Sequence, residues 1–125
     1  MKTEKIIYWV STGLISLMML FAAFAYFTSP MAKSGFAHLG FPDYFRVELG
    51  TAKILGAIAL ILPWTPSKIK EFAYTGFTIT FISAFIAHLS TGDPMKVAIN
   101  PIVALLILAV SYIYYIKTSK NSSIE

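Results

Sequence analysis

Uncharged apolar runs alternate along the chain with short polar stretches rich in proline and glycine. Ile6 to Phe27 carries no charge, and Phe45 to Leu62 is apolar apart from Arg46, Glu48 and Lys53. In Phe72 to Leu89 the one ionisable group other than tyrosine is His88, and Val97 to Ile116 is charge-free. A bilayer core about 30 Å thick takes roughly 20 helical residues. The pattern therefore predicts four spans, at about 6–27, 43–62, 68–89 and 97–116. Ser29-Pro30 supplies a hydroxyl N-cap before a proline at the first helical position, and Gly40 supplies a stop. Pro30 to Leu39 then reads as a short, semi-apolar interfacial helix. Pro42 opens the second span, which runs to about Leu62, before Pro63. Thr65-Pro66 repeats the cap signal and opens the third within Ser67-Lys68-Ile69-Lys70-Glu71, and Gly92-Asp93-Pro94 is a turn. Asn100-Pro101 reads either as a cap in the opening of the fourth helix or as a kink within it. The expectation is an all-α protein, a transmembrane four-helix bundle with a short interfacial helix between spans 1 and 2, forming one domain over residues 1–125.

Composition agrees with this pattern. Of the 125 residues, 57% are hydrophobic and 13% charged, and the mean hydropathy is +0.71. Soluble domains carry about 25% charged residues, and a chain this short cannot hide such an apolar excess in one soluble core. An ordinary cytosolic enzyme, a disordered protein and a nucleic-acid binder are excluded. With no cysteine, disulfides, thiol redox chemistry, zinc-thiolate sites and iron–sulfur clusters are excluded too.

The charges give an orientation. Lys2, Lys5, Lys68, Lys70, Lys117 and Lys120 fall on one side, while Lys33, Arg46 and Lys96 fall on the other; Lys53 lies within the second span. The positive-inside rule then places both termini in the cytoplasm of a cell that holds the protein in its inner or plasma membrane. Trp9, Trp64, Tyr112, Tyr114 and Tyr115 read as an inner aromatic belt, with Tyr26, Tyr44 and Phe45 as an outer one. A competing reading takes Met1–Lys5 as the basic region of a signal peptide with Ala23-Phe24-Ala25 as its cleavage site. The first apolar run is too long for that and continues through Tyr26 and Phe27, so an uncleaved helix is expected.

The second span holds the candidate chemistry. Lys53 lies roughly 16 Å along the helix from Pro42, near mid-membrane, where an ionisable group must face protein or water. Arg46 and Lys53, seven apart, share a stripe with Gly50 and Ala57. Glu48 is about 140° round from Lys53, too far for an i,i+4 pair. Helical side chains lean toward the N-terminus, here the outer side. His88 and Asn100 fall at the same outer level on the third and fourth spans, with His38 and Asp93 in the connections. The candidate ligand-binding set is Arg46, Glu48, Lys53, His88 and Asn100: a polar pocket in the outer half, with Arg46 and Lys53 attracting an anion or polarised carbonyl and Glu48 and His88 exchanging protons. The competing structural reading has Arg46 snorkelling to headgroups, Glu48 and Lys53 fixing helix packing, and His38, Asp93 and Asn100 serving as loop and cap residues. No metal site is expected, because His38 and His88 lack ligand spacing. Ala52/Gly56, Gly76/Thr80 and Ser83/Ala87 are small-residue pairs that permit close helix approach.

Leu39-Gly40-Phe41-Pro42-Asp43-Tyr44-Phe45, followed by Glu48-Leu49, Ala52-Lys53-Ile54-Leu55-Gly56 and Pro63, resembles the DoxX-like family of small membrane proteins. Lys70 to Phe77, Ser83-Ala84 and His88 extend the likeness over nearly the whole chain. The resemblance implies a four-helix transmembrane bundle, and it carries over Glu48, Lys53, Gly56 and His88 by pattern. It also implies a link to redox or oxidative-stress systems, the family being named after a membrane subunit of a thiosulfate:quinone oxidoreductase. The expected function is an accessory membrane component of a quinone-linked redox system, without independent catalysis. Quinone is the one cofactor implied, by family analogy alone. Expected partners are the lipid bilayer, a membrane or redox subunit and a second copy of the chain, with no nucleic acid. Binding or transport of a small molecule or anion, and assembly of other membrane proteins, stand as alternatives.

Overall fold

A computed structural model describes residues 2–124, with side chains from 2 to 119; Met1, Glu125 and the side chain of Lys120 lie outside the described residues. Five helices follow in order: α1 (Lys2–Thr28), α2 (Pro30–His38), α3 (Asp43–Ile61), α4 (Ser67–Ser90) and α5 (Met95–Ile124). No strand occurs among the described residues. α1 and α4 each pack against both α3 and α5, so the four long helices form a ring in which α1 lies opposite α4. The α3–α4 seam is the most sparsely packed of the four. The start of α1 and the end of α5 fall at one end of the ring, here called terminal; α2 and the α4–α5 turn lie at the other, distal end.

α1, α4 and α5 are long and apolar enough to cross a membrane. α3 has 19 residues, but Arg46, Glu48 and Lys53 break its apolar run. The outward faces are strongly apolar, with Phe21, Phe24, Leu55, Phe72 and Leu106 exposed, while Ile15, Leu60 and Leu108 fill the centre. One contact fixes how closely α3 and α4 can approach. A Cβ added to Gly56 would lie 2.7 Å from Cζ of Phe77, and Phe77 is buried and stacked on Phe81 with ring centroids 5.9 Å apart. Gly56 thus performs the role expected of a small residue. Gly76 does not, since nothing lies within 4 Å of a Cβ built there.

Capping explains the distal end. Ser29 is the N-cap of α2, its side chain accepting from the Ala32 N–H at 3.4 Å. α2 then ends in a Schellman turn: Gly40 takes φ +86°, and the N–H groups of Gly40 and Phe41 reach the carbonyls of Ala37 and Phe36, each at 3.0 Å. Phe36 and Phe41 make the apolar contact that accompanies this motif. The C-terminus of α4 repeats it, with Gly92 at φ +77° and the Gly92 and Asp93 N–H groups on Leu89 and His88 carbonyls at 3.2 and 3.0 Å. Glycine is needed at both positions because the left-handed backbone crowds a Cβ.

Three local expectations are corrected. Thr65 does not cap α4. Pro66 is the N-cap residue, without a side-chain bond, so Thr65 sits one residue outside the reach of the orphan N–H groups. α5 already begins at Met95 and runs through Pro101, so Asn100 is no cap and the proline lies inside the helix. Finally, Tyr115 does not belong to a membrane-facing belt: it is buried with Tyr8 and Tyr74 in the terminal half of the core. Trp9, Trp64 and Tyr44 do face outward.

Candidate functional site

The distal half of the ring surrounds a half-open chamber of about 1220 Å³. Met19 and Tyr26 of α1, Leu49 of α3, Phe81 of α4 and Ala104 of α5 give it apolar walls, and α2 covers its distal end through Phe36. Lys53 projects from α3 into this space. The residue is 5% exposed, and its ammonium donates to the Met19 sulfur at 3.5 Å while facing the rings of Tyr26 and Phe81 at 5.4 and 5.5 Å. A thioether is a weak acceptor, and aromatic faces attract a cation without neutralising it. Among the described residues Lys53 makes no ion pair. A buried ammonium without a counter-ion is costly, so this side chain is retained at a cost.

His88 and Asn100 also line the chamber. The structure therefore brings Lys53, His88 and Asn100 to one space and leaves Arg46 and Glu48 outside its lining. Glu48 is on the exposed face of α3, as its angular offset from Lys53 requires. Arg46 turns to the end of α1: it donates through Nε to Asp43 at 3.2 Å and through Nη1 to the Tyr26 carbonyl. That carbonyl is one of the four that a helix C-terminus leaves without an internal partner. A cation there also complements the helix dipole.

The distal rim holds a constellation that joins His88 of the candidate pocket to His38 and Asp93, which sequence reasoning left in the connections. His38 Nε2 and His88 Nδ1 each donate to one oxygen of Asp93, both at 2.7 Å. All three residues line the chamber. The bond from His88, followed by that from His38, holds the Asp93 carboxyl below the usual carboxylate range. The backbone explains the meeting. A Schellman turn folds residue C″ back over C3, and those positions in α4 are Asp93 and His88; His38 is the last residue of α2. Recognising Gly40 and Gly92 as two copies of one helix stop at the same end is the signal that exposes this cluster. Among the described residues, no group of His, Cys, Asp and Glu forms a metal site.

At the terminal end the interior is polar but closed. Lys70, 5% exposed, donates to the Tyr8 hydroxyl at 2.7 Å and to the Leu60 carbonyl at 3.4 Å, an orphan at the end of α3. Ser111 bonds Thr12 at 2.6 Å and Tyr74 at 2.7 Å. These groups are satisfied by each other, which distinguishes them from Lys53.

Apolar-walled helices around a chamber with one buried cation define a small helical membrane protein with a candidate ligand-binding interior. The DoxX-like family matches residues 10–111; the chain belongs to that family. No curated protein and no solved structure matches it.

Proposed function

We propose that this protein is a single-domain, four-span component of the plasma membrane that holds a membrane-soluble molecule in its distal chamber, head-first on Lys53. α1, α3, α4 and α5 supply the spans, α3 being carried across by its partners despite its charges. α2 lies at the outer interface, and both termini are cytoplasmic, consistent with the clustering of basic residues there. The observation that carries the reading is the Lys53 ammonium, buried in an apolar chamber against a sulfur and two rings. A molecule with a carbonyl or carboxylate head supplies the acceptor it lacks, while its apolar body lies against apolar walls. In the quinone-linked accessory role implied by the family, a quinone carbonyl occupies that position.

Purification in mild detergent, followed by organic extraction and mass spectrometry, tests this. The wild-type protein is expected to retain a lipophilic molecule that Lys53→Met loses, with unchanged size-exclusion profile and helix content. Equal retention by both proteins, or none by either, refutes the assignment.

A further inference from the structure

The chamber does not end at the ring. A second cavity of about 330 Å³ runs along the outside of the α3–α4 seam, and the two share Leu49, Lys53 and Thr80 in their linings. The seam is also the loosest in the ring. Its walls are low, because Ala52, Ala73 and Gly76 stand where larger residues would close it, and the Gly76 position opens onto free space. The distal end is tied across by contrast: Phe36 packs edge-on against Tyr26 with centroids 4.8 Å apart, and the His38–Asp93–His88 bonds link α2 to the α4–α5 turn.

We infer that the ligand is a single-chain lipid carboxylate, a long-chain fatty acid, which enters sideways from the bilayer through the α3–α4 seam with its carboxylate on Lys53 and its hydrocarbon chain trailing into the outer groove. The inference rests on the chamber reading above and narrows it. The head is an anion because Lys53 makes no ion pair among the described residues; a carboxylate both accepts its N–H donors and neutralises it, which a neutral carbonyl does not. Asp93, the other charged group on the chamber wall, is already held by two histidines. One chain rather than two follows from the size of the groove, about 330 Å³ between α3 and α4. Entry is lateral because Lys53 lies at the junction of both cavities, so a head group reaching it from the seam need not open the distal clasp.

The test uses the full-length protein in detergent and compares radiolabelled palmitic acid with methyl palmitate, which has the same chain and no charge. Palmitic acid is expected to bind at least about tenfold more tightly than the ester. Lys53→Gln should erase that preference while still binding the ester, which also reports an intact chamber, and Lys53→Arg should keep it. Gly76→Leu, which fills the open groove, should weaken palmitate binding. Equal affinity of acid and ester in the wild type overturns the carboxylate assignment without recourse to any variant. If decylubiquinone displaces the molecule retained on purification and palmitate does not, the carboxylate assignment falls and the chamber reading stands. If no probe binds and nothing is retained, both fall together.

Discussion

Replacing Gly56 by alanine isolates the close approach of α3 to α4. The added methyl would sit 2.7 Å from Cζ and 2.9 Å from Cε2 of Phe77, where carbon atoms prefer about 3.5–4.0 Å. Phe77 cannot yield freely, because it is buried and stacked on Phe81. Overpacking of this kind costs about 1–3 kcal/mol, while exchanging a mid-helix glycine for alanine recovers about 0.5–1 kcal/mol. Gly76→Ala, one helix away and facing open space, should show the favourable part alone. The gap between the two variants is therefore the steric cost itself, about 1–3 kcal/mol. It can be read as the difference in unfolding free energy in an SDS titration from mild detergent, followed by tryptophan fluorescence. Trimming the ring with Phe77→Leu should rescue Gly56→Ala, giving a non-additive cycle. A Gly56→Ala protein as stable as Gly76→Ala would refute the packing argument.

Two further outcomes follow from the polar clusters. Ser111→Ala strands the Thr12 and Tyr74 hydroxyls, each of which bonds Ser111 in the interior, and should cost about 1–3 kcal/mol in the same titration; a change under about 0.5 kcal/mol would show that the cluster adds nothing. The distal clasp should weaken in acid: because the Asp93 pKa is lowered on folding, its contribution is complete above the ordinary carboxylate value of about 3.9 and disappears as pH falls through the lowered one. The chain has no cysteine, so Ser34→Cys and Lys96→Cys place two spin labels across the clasp. Their distance distribution should be narrow at neutral pH, broaden in strong acid and be broad throughout with Asp93→Ala; indifference to that substitution contradicts the clasp.

The helices were legible in the sequence wherever apolar runs met strong punctuation. Ser29-Pro30, Gly40 and Pro42 bracket α2 and open α3 as expected, because a missing N–H, a hydroxyl acceptor and a left-handed glycine act locally. Thr65 and Asn100 misled for the complementary reason: a cap residue and a mid-helix polar residue look alike until the position of the first turn is known. For the site, burial of Lys53 was readable from its depth within an apolar run. The outward turn of Glu48 was implicit in its angular offset but was not used to exclude it. Arg46 was assigned to the pocket and Lys70 was counted as a topological charge, since nothing in one helix's sequence reveals the neighbouring helix end whose carbonyls they satisfy. The pairing of His38 with Asp93 joins residues 55 positions apart; the two glycine stops signal that both fall at one end, but not that their side chains meet.

The partners of α3 also bear on how the protein is made. Arg46 is satisfied by the end of α1, and Lys53 lies against Met19 and Tyr26 of α1 and Phe81 of α4. On the four-span reading, the third helix leaves the ribosome before α4 exists, carrying charges that only α1 can shield. It should linger at the insertion machinery as a hairpin with α1 and partition fully into lipid only after α4 emerges. The residue that equips the chamber to hold a ligand would then also set the order of biogenesis, with Lys53→Leu expected to insert earlier than the natural chain.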